Sequence, residues 1–176
     1  MNKTSTFTYI SNSISVLLLM SGAILAISWF QKNRLPEPNQ IVEELFREPR
    51  QSNSRESVFS FSYSGTDYVV EPVSEYELYG MVVSHNDISA WWNIYQSEKN
   101  VDLKDLCVIW GGNLKDKWYQ KAEFWSEAWS CHVKMHDQET FESYEATELS
   151  NNHLLSDSES IWDKVRDVHI GDQIHL

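Results

Sequence analysis

Two histidines four residues apart, His132 and His136, have the spacing in this chain that most resembles a metal site. Residues four apart share one face of a helix or a strand, and the neighbouring Cys131 and Asp137 add donors that zinc accepts. No third ligand follows at a recognised spacing, and the chain has no His-Glu-x-x-His pattern. Solvent-facing histidines on a strand are the alternative. The pair therefore predicts a metal-binding protein or metal-dependent enzyme as the second of two functions.

Tryptophan is concentrated in one part of the chain. Six of the eight tryptophans lie between Trp91 and Trp129, and Trp91 is followed directly by Trp92. An exposed tryptophan contributes strongly to binding and packs well on sugars and cations. The alternative is that these rings fill the core of a small domain. We take Trp91, Trp92, Trp125 and Trp129 as candidate binding residues.

Recognised motifs for catalysis are absent from the sequence. There is no Gly-x-Ser-x-Gly, neither Cys107 nor Cys131 lies in a Cys-x-x-Cys, and no glycine-rich stretch has phosphate-loop spacing. Carboxylate pairs such as Glu123 and Glu127 are expected from the composition alone. We therefore predict no catalytic residue and no cofactor. The first function hypothesis is a non-enzymatic module whose acidic, Trp-rich domain binds an unknown protein or small molecule.

Charge excludes one class of partner. The 176 residues include 26 acidic and 14 basic side chains, for a net charge of -12. Residues 1–55 hold six basic and four acidic residues, whereas residues 56–176 hold eight basic and twenty-two acidic ones. Nucleic-acid affinity depends mainly on Lys and Arg displacing counterions from phosphates. The acidic part predicts no nucleic-acid partner.

The amino-terminal region contains a long uncharged stretch. Residues 14–30 read ISVLLLMSGAILAISWF, and they would extend about 25 Å as a helix. Basic residues follow the stretch directly, which favours an uncleaved anchor over a cleaved signal peptide. We therefore predict a transmembrane helix at 14–30 that contacts the lipid bilayer, preceded by a short polar tail at 1–13.

The side of the membrane is predicted by two opposing signals. Lys32 and Arg34 follow the uncharged stretch and favour a cytoplasmic domain. Cys107 and Cys131 form an even pair, which favours a disulfide in an oxidising compartment, although both also suit the role of small buried apolar residues. The combined prediction is a single-pass protein of a bacterial inner membrane with its soluble domain in the periplasm.

The rest of the chain predicts a linker with a short helix at 31–57 and an α+β domain at 58–176. Its strands are expected to be mostly antiparallel, in a small barrel-like arrangement with two or three helices. The predicted strands are a hairpin at 58–71, then 76–84, 106–110, the second half of 124–135 and 168–176. Trp125, Trp129 and Cys131 are expected on one face of the fourth segment, opposite His132. The predicted helices are 41–48, a segment beginning at Asp87, 140–149 and a helix capped by Ser156.

Several segments together resemble a known group of proteins. They are YELYGMVVS, the Trp-Trp-x-Ile-Tyr segment, DLCVIWG, FWSEAWSC, ELSNNHLL and VHIGDQIHL. Over residues 35–176 they resemble uncharacterised bacterial single-pass membrane proteins with a Trp-rich soluble domain. The resemblance implies membrane attachment and no particular activity. It also implies further strands beyond GDQIHL, so the sheet is expected to be shortened here.

Overall fold

The computed structural model describes residues 3–63, 65–88, 101–115, 117–156 and 158–176. The chain divides into two compact units, Met1–Arg34 and Leu35–Leu176. The helices and strands, in chain order, are α1 (Lys3–Lys32), β1 (Arg50–Asn53), β2 (Phe59–Tyr63), β3 (Thr66–Val70), β4 (Ser74–Glu77), β5 (Tyr79–Asp87), β6 (Lys104–Ile109), β7 (Glu123–Glu127), β8 (Ser130–Lys134), α2 (Gln138–Glu142), β9 (Leu149–Leu154), α3 (Glu159–Arg166) and β10 (Gln173–His175). Short 3-10 turns occupy Pro38–Gln40, Glu43–Phe46, Gly111–Leu114, Lys117–Gln120 and Ala146–Glu148.

The uncharged stretch does not give a membrane span. Among the described residues, no helix combines the length and the apolar character that crossing a bilayer requires. The predicted single-pass location in a bacterial inner membrane is therefore wrong, and the predicted transmembrane helix at 14–30 gains no support from the described residues.

The second unit is built around a four-stranded antiparallel sheet in the order β10-β5-β6-β9. Three two-stranded antiparallel sheets accompany it, namely β1-β4, β2-β3 and β7-β8. With three α-helices among the described residues, this arrangement confirms the α+β prediction. Strands β9 and β10 form the edges of the central sheet, so the described strands make an open sheet and not a closed barrel.

Both faces of the central sheet are covered. The residues of β6 are all buried, as expected for the apolar run Leu106 to Ile109. One face packs against a cluster that includes Leu45, Trp118 and Tyr119, and the other against Val168 and Leu176. A bulge between Val82 and Ser84 shifts the register of β5 against β6. The sheet therefore presents two separate sets of side chains, one toward each layer.

Residues 35–46 belong to this unit and close one of its sides. Leu45 is buried in the core, and the backbone N–H of Val42 donates to the side-chain oxygen of Gln173 (2.7 Å). The amide nitrogen of Gln173 donates in turn to the carbonyl oxygen of Gln40 (2.9 Å). The helix predicted at 41–48 is shorter than expected, because only the 3-10 turn Glu43–Phe46 forms there.

Three other predicted elements also differ from the structure. The predicted strand 76–84 is divided into β4 and β5 at Leu78, whose backbone pairs with Leu176. The predicted helix 140–149 contains only α2 and the short turn Ala146–Glu148, because Leu149 already begins β9. The hairpin of β2 and β3 is confirmed. The late strand predicted at 168–176 is shorter than expected, because only Gln173–His175 pairs with β5.

Candidate functional site

The candidate site is the hairpin of β7 and β8, which lies over one face of the central sheet. Side chains alternate along it between two faces, as in any strand pair. The inner side chains include Phe124, Cys131 and Val133, which pack against the core. The outward-facing side chains form what we call the hairpin face, defined by Glu123, Trp125, Glu127, Ser130, His132 and Lys134.

Polar and covalent links hold the inner side of the hairpin on the sheet. Cys107 of β6 and Cys131 of β8 form a disulfide, and their Cα atoms lie 5.5 Å apart. The hydroxyls of Ser84 in β5 and Ser126 in β7 share a hydrogen bond of 2.8 Å. Each strand of the hairpin is therefore attached separately to a central strand.

The turn of this hairpin has an unusual backbone. Two residues, Ala128 and Trp129, connect the paired Glu127 and Ser130, and both have positive φ (48° and 61°). Two-residue hairpin turns of this kind normally use Gly, Asn or Asp, because a Cβ is unfavourable in the left-handed region. The side-chain amide of Asn151 in β9 donates to the carbonyl oxygen of Trp129 (2.7 Å). This bond ties the strained turn to the edge of the central sheet.

Asn151 belongs to a short line of polar residues that reaches into the sheet. Its Nδ2 lies 3.4 Å from His153 Nε2, and His153 Nδ1 lies 2.6 Å from Asp105 Oδ1. Asp105 is only 1% exposed, and burial raises the pKa of its carboxyl, whereas the hydrogen bond from His153 opposes that rise. When Asp105 is ionised it accepts from Nδ1 of His153, and the neutral ring with its hydrogen on Nδ1 has Nε2 as an acceptor for Asn151. The line therefore orients the amide that supports the turn.

The hairpin face carries a flat aromatic platform. The rings of Trp125 and His132 stack across the two strands with centroids 5.0 Å apart and an interplanar angle of 11°. Trp125 is 40% exposed, and Trp129 at the neighbouring turn is 42% exposed. At the other end of the face, Glu123 pairs with His136 (3.0 Å) and more distantly with Lys134 (3.9 Å). Glu127 lies beside the turn.

The candidate residues from the sequence have different outcomes. Trp125 and Trp129 lie together at the hairpin, whereas Trp91 and Trp92 lie outside the described residues. His132 stacks on Trp125 while His136 pairs with Glu123, so the two histidines make separate contacts. In the part of the chain that the structure describes, no group of three or more His, Cys, Asp or Glu side chains is placed to hold a metal ion. The predicted metal pair gains no support.

Three residues of the site were missed at the level of sequence. Asp105, Asn151 and His153 are far apart in the chain, and nothing in their local pattern links them. The register of β6 against β9 brings them together, because Asp105 pairs with His153 and Cys107 with Asn151. The one available signal was the polar run 150–153 between Leu149 and Leu154.

The opposite face of the sheet contains a second set of buried polar groups. Lys104 Nζ donates to the carbonyl oxygens of Arg166 (3.1 Å) and Val168 (2.7 Å), where α3 ends. Burial lowers the pKa of His85 to about 4, and the positive charge of Lys104 makes a smaller contribution in the same direction. Burial also lowers the pKa of Lys104. A cation at a helix carboxyl terminus stabilises the fold, so we assign these groups a structural role.

Comparison with known proteins adds no functional assignment. No protein-family model, curated protein or solved structure matches the chain at a significant level. The resemblance to bacterial membrane proteins therefore stays a prediction, and the functional argument depends on the geometry described above.

Proposed function

We propose that this chain is a non-enzymatic binding module that holds a cationic segment of a partner protein on its hairpin face. The observation that carries the proposal is the half-exposed stack of Trp125 and His132, with the carboxylate of Glu127 on the same face. A flat ring beside a carboxylate offers an arginine side chain both a stacking surface and an opposite charge.

The charge of the whole chain supports a cationic partner. The net charge is -12, and residues 56–176 hold twenty-two acidic against eight basic side chains. Such an excess attracts cations over distances comparable to the Debye length and raises the rate of encounter with basic partners. A sugar would use the same rings without any benefit from the charge, so the charge favours the cationic partner over a neutral one.

The rigidity of the hairpin supports binding as well. The disulfide from Cys107 to Cys131 and the hydrogen bond from Asn151 to Trp129 restrict the hairpin before any partner arrives. A surface that is already ordered loses less conformational entropy on association. The strain at Ala128 and Trp129 is consistent with this role, since non-glycine residues in the left-handed region often occur at binding sites.

A titration with a defined probe tests the proposal. The probe is a short synthetic peptide in which arginine alternates with serine, and the reference is the same peptide with neutral citrulline in place of arginine. We expect the arginine peptide to bind, and Trp125→Ala to weaken binding by about tenfold, the order expected for one cation–π contact of roughly 1.4 kcal/mol. Glu127→Gln is expected to weaken binding less and to reduce its dependence on salt.

Matched controls separate this face from general charge attraction. Phe61→Ala removes one ring of the stacked Phe61–Tyr68 pair in the hairpin of β2 and β3, and it is expected to leave binding unchanged. Equal binding of the citrulline peptide would contradict the proposal. So would binding of a chitooligosaccharide together with no binding of the arginine peptide.

A further inference from the structure

Three side chains connect the buried part of the central sheet to the turn of the hairpin of β7 and β8. Asp105 lies at the buried end, His153 in the middle and Asn151 at the turn, where its amide nitrogen donates to the carbonyl oxygen of Trp129 (2.7 Å). We call these three side chains the polar line. The side chain of His153 is 43% exposed, whereas Asp105 is buried. Protons from solvent therefore reach the middle of the line directly.

The hydrogen positions along the polar line follow from the end at the turn. The carbonyl oxygen of Trp129 can only accept, so the amide of Asn151 turns its Nδ2 toward that oxygen. The same Nδ2 lies 3.4 Å from Nε2 of His153, which is therefore an acceptor. A neutral imidazole that accepts at Nε2 carries its hydrogen at Nδ1, and Nδ1 lies 2.6 Å from Asp105 Oδ1. Donors and acceptors thus match along the whole line while His153 is neutral.

The oxygen of the Asn151 amide is unsatisfied in this arrangement. Asn151 Oδ1 is buried, and among the described residues it has no hydrogen-bond partner. A buried acceptor in this condition is unfavourable. The amide therefore has a second orientation available to it, in which Oδ1 accepts a hydrogen bond that it now lacks.

Protonation of His153 reverses the requirement at Nε2. Histidine is the side chain that ordinarily changes its charge between pH 5 and 8. A proton taken from solvent binds the lone pair of Nε2, while Nδ1 keeps its hydrogen and its bond to Asp105. Two N–H donors then face each other across the 3.4 Å between Nε2 and Asn151 Nδ2. This contact is repulsive, and it is relieved when the amide rotates and presents Oδ1 to Nε2.

That rotation removes the donor from the turn. Because Nδ2 and Oδ1 belong to one planar amide, moving Oδ1 toward Nε2 moves Nδ2 away from the carbonyl oxygen of Trp129. Ala128 and Trp129 both have positive φ, which is unfavourable for residues with a Cβ, so the turn depends on its support from β9. The proton does not affect the disulfide from Cys107 to Cys131, so the strands stay attached and only the turn is released.

Charged side chains on the adjoining elements define the surroundings of His153. They are Asp102 just before β6, Lys104 and Asp105 in β6, and Glu127 and His132 on the hairpin. Burial raises the pKa of Asp105, Asp102 adds to that rise, and the hydrogen bond with His153 opposes it. Lys104 donates to the end of α3 on the opposite face of the sheet. The nitrogen that faces the Asn151 amide belongs to His153, so its protonation decides that contact.

We propose that the polar line is a pH-sensitive latch, in which protonation of His153 at Nε2 draws the Asn151 amide away from the carbonyl oxygen of Trp129 and releases the turn. The latch is closed while His153 is neutral and opens as the pH falls through the range in which histidine becomes charged. It acts on the hairpin itself, so it is measurable without any partner. A released turn also leaves the hairpin face less ordered for binding, a consequence that rests on the function proposed above.

A pH titration of the isotope-labelled full chain by NMR, from about pH 8 to about pH 5.5, tests the latch over the range in which histidine titrates. The carbonyl carbon of Trp129 and the side-chain amide of Asn151 report the hydrogen bond, and the ring carbons of His153 report the proton. We expect the Trp129 carbonyl to shift with the same midpoint as the His153 ring. We expect no such shift in His153→Gln, or in Asn151→Ala, where the ring still titrates but the amide is missing.

Two control variants separate the latch from other histidines. His132→Gln removes the histidine of the hairpin face, and His85→Gln removes a buried one whose pKa of about 4 keeps it neutral in the folded protein over this range. Both are expected to keep the Trp129 shift. A His153 ring that does not titrate, or one that titrates while the Trp129 carbonyl stays unshifted, would overturn the proposal. So would a shift that persists in His153→Gln or Asn151→Ala, or one that disappears in His132→Gln.

Discussion

Two hairpins of this protein carry the same cross-strand aromatic pairing and differ in how they are supported. In the hairpin of β2 and β3, Phe61 stacks on Tyr68 with centroids 5.3 Å apart. In the hairpin of β7 and β8, Trp125 stacks on His132 with centroids 5.0 Å apart. The first turns through Gly65 at φ 74°, whereas the second turns through two non-glycine residues with positive φ.

The hairpin of β7 and β8 is attached to the central sheet by a disulfide and by side-chain hydrogen bonds. The chain has two cysteines, and both are used to fix β8 to the central sheet. Asn151 adds a hydrogen bond to the turn, and Ser84 adds one to β7. A two-stranded hairpin is marginally stable alone, so these links give β7 and β8 an order that their own pairing does not supply. We infer that the supported hairpin is the functional one.

The largest expected effect comes from breaking the disulfide. It closes a loop with a sequence separation of 24 residues, so reduction should lower the free energy of unfolding by about 3 kcal/mol. Urea unfolding with and without reductant measures this change. The double variant Cys107→Ala and Cys131→Ala is the control, because reductant should not affect it. An unchanged unfolding midpoint after complete reduction would show that the link does not support the hairpin.

Acidification should weaken the sheet under one hairpin and spare the other. Burial lowers the pKa of His85 to about 4, whereas an unfolded histidine titrates near 6.5. Between these values the unfolded chain binds a proton that the folded chain excludes, so stability decreases as the pH falls from 6.5 toward 4. We expect a loss of about 2 kcal/mol by pH 5.

Hydrogen exchange at several pH values checks this expectation. Amides of β5, β7 and β8 should lose protection on acidification, whereas those of β2 and β3 should keep theirs. In His85→Gln, the protection of amides in the central sheet should depend less on pH. A pH response that persists in full in His85→Gln would exclude this histidine as its origin.

Asn151→Ala tests the link between the turn and the sheet. Loss of its hydrogen bond to the carbonyl oxygen of Trp129 should destabilise the protein by about 1 kcal/mol and shift the indole resonance of Trp129. Asn152→Ala is the matched control, because Asn152 donates to the carbonyl oxygen of Leu106. It should leave the Trp129 resonance in place. Identical spectra for both variants would remove Asn151 from the site.

The smallest expected effects come from exchanging the turn residues. Gly65→Ala adds a Cβ that meets no atom within 4 Å, so its cost is the left-handed backbone alone, about 1 kcal/mol. Ala128→Gly should change stability in the opposite direction by less than about 1 kcal/mol, because glycine relieves strain and adds unfolded-state entropy. Thermal unfolding compares the two. If Gly65→Ala stabilised the protein, the left-handed backbone at Gly65 would not be the cost that distinguishes this turn from that of Ala128 and Trp129.

The sequence predicted those elements whose pattern reflects burial. The apolar run from Leu106 to Ile109 is the central strand β6, and alternating aromatic residues around Gly65 form a hairpin. The helix α3 follows the apolar spacing of Ile161 and Val165. Its capping differs from the prediction that Ser156 caps the helix. Ser156 Oγ accepts a hydrogen bond from the backbone N–H of Ser158, which precedes the helix. Local patterns of this kind are visible without tertiary structure.

The hairpin face was only partly predictable. A continuous strand through 124–135 would place Trp125 on the same side as Cys131, but the turn at Ala128 and Trp129 reverses the chain. Trp125 therefore faces outward while Cys131 faces the sheet. Neither turn residue belongs to the usual types, so propensity gives no signal for the reversal. Similarly, the residues of β9 are mostly polar and do not predict a strand. They form one because their backbone pairs with β6.

The central claim is that the outward side of β7 and β8 receives a cationic segment. Chemical-shift mapping of the labelled full chain with the arginine and serine peptide tests it most directly. The account predicts that shifts concentrate on the indole of Trp125, the ring of His132 and the backbone around Glu127, while Phe61 and Tyr68 stay unperturbed. Shifts centred on Phe61 and Tyr68, or spread evenly over acidic residues throughout the chain, would contradict it.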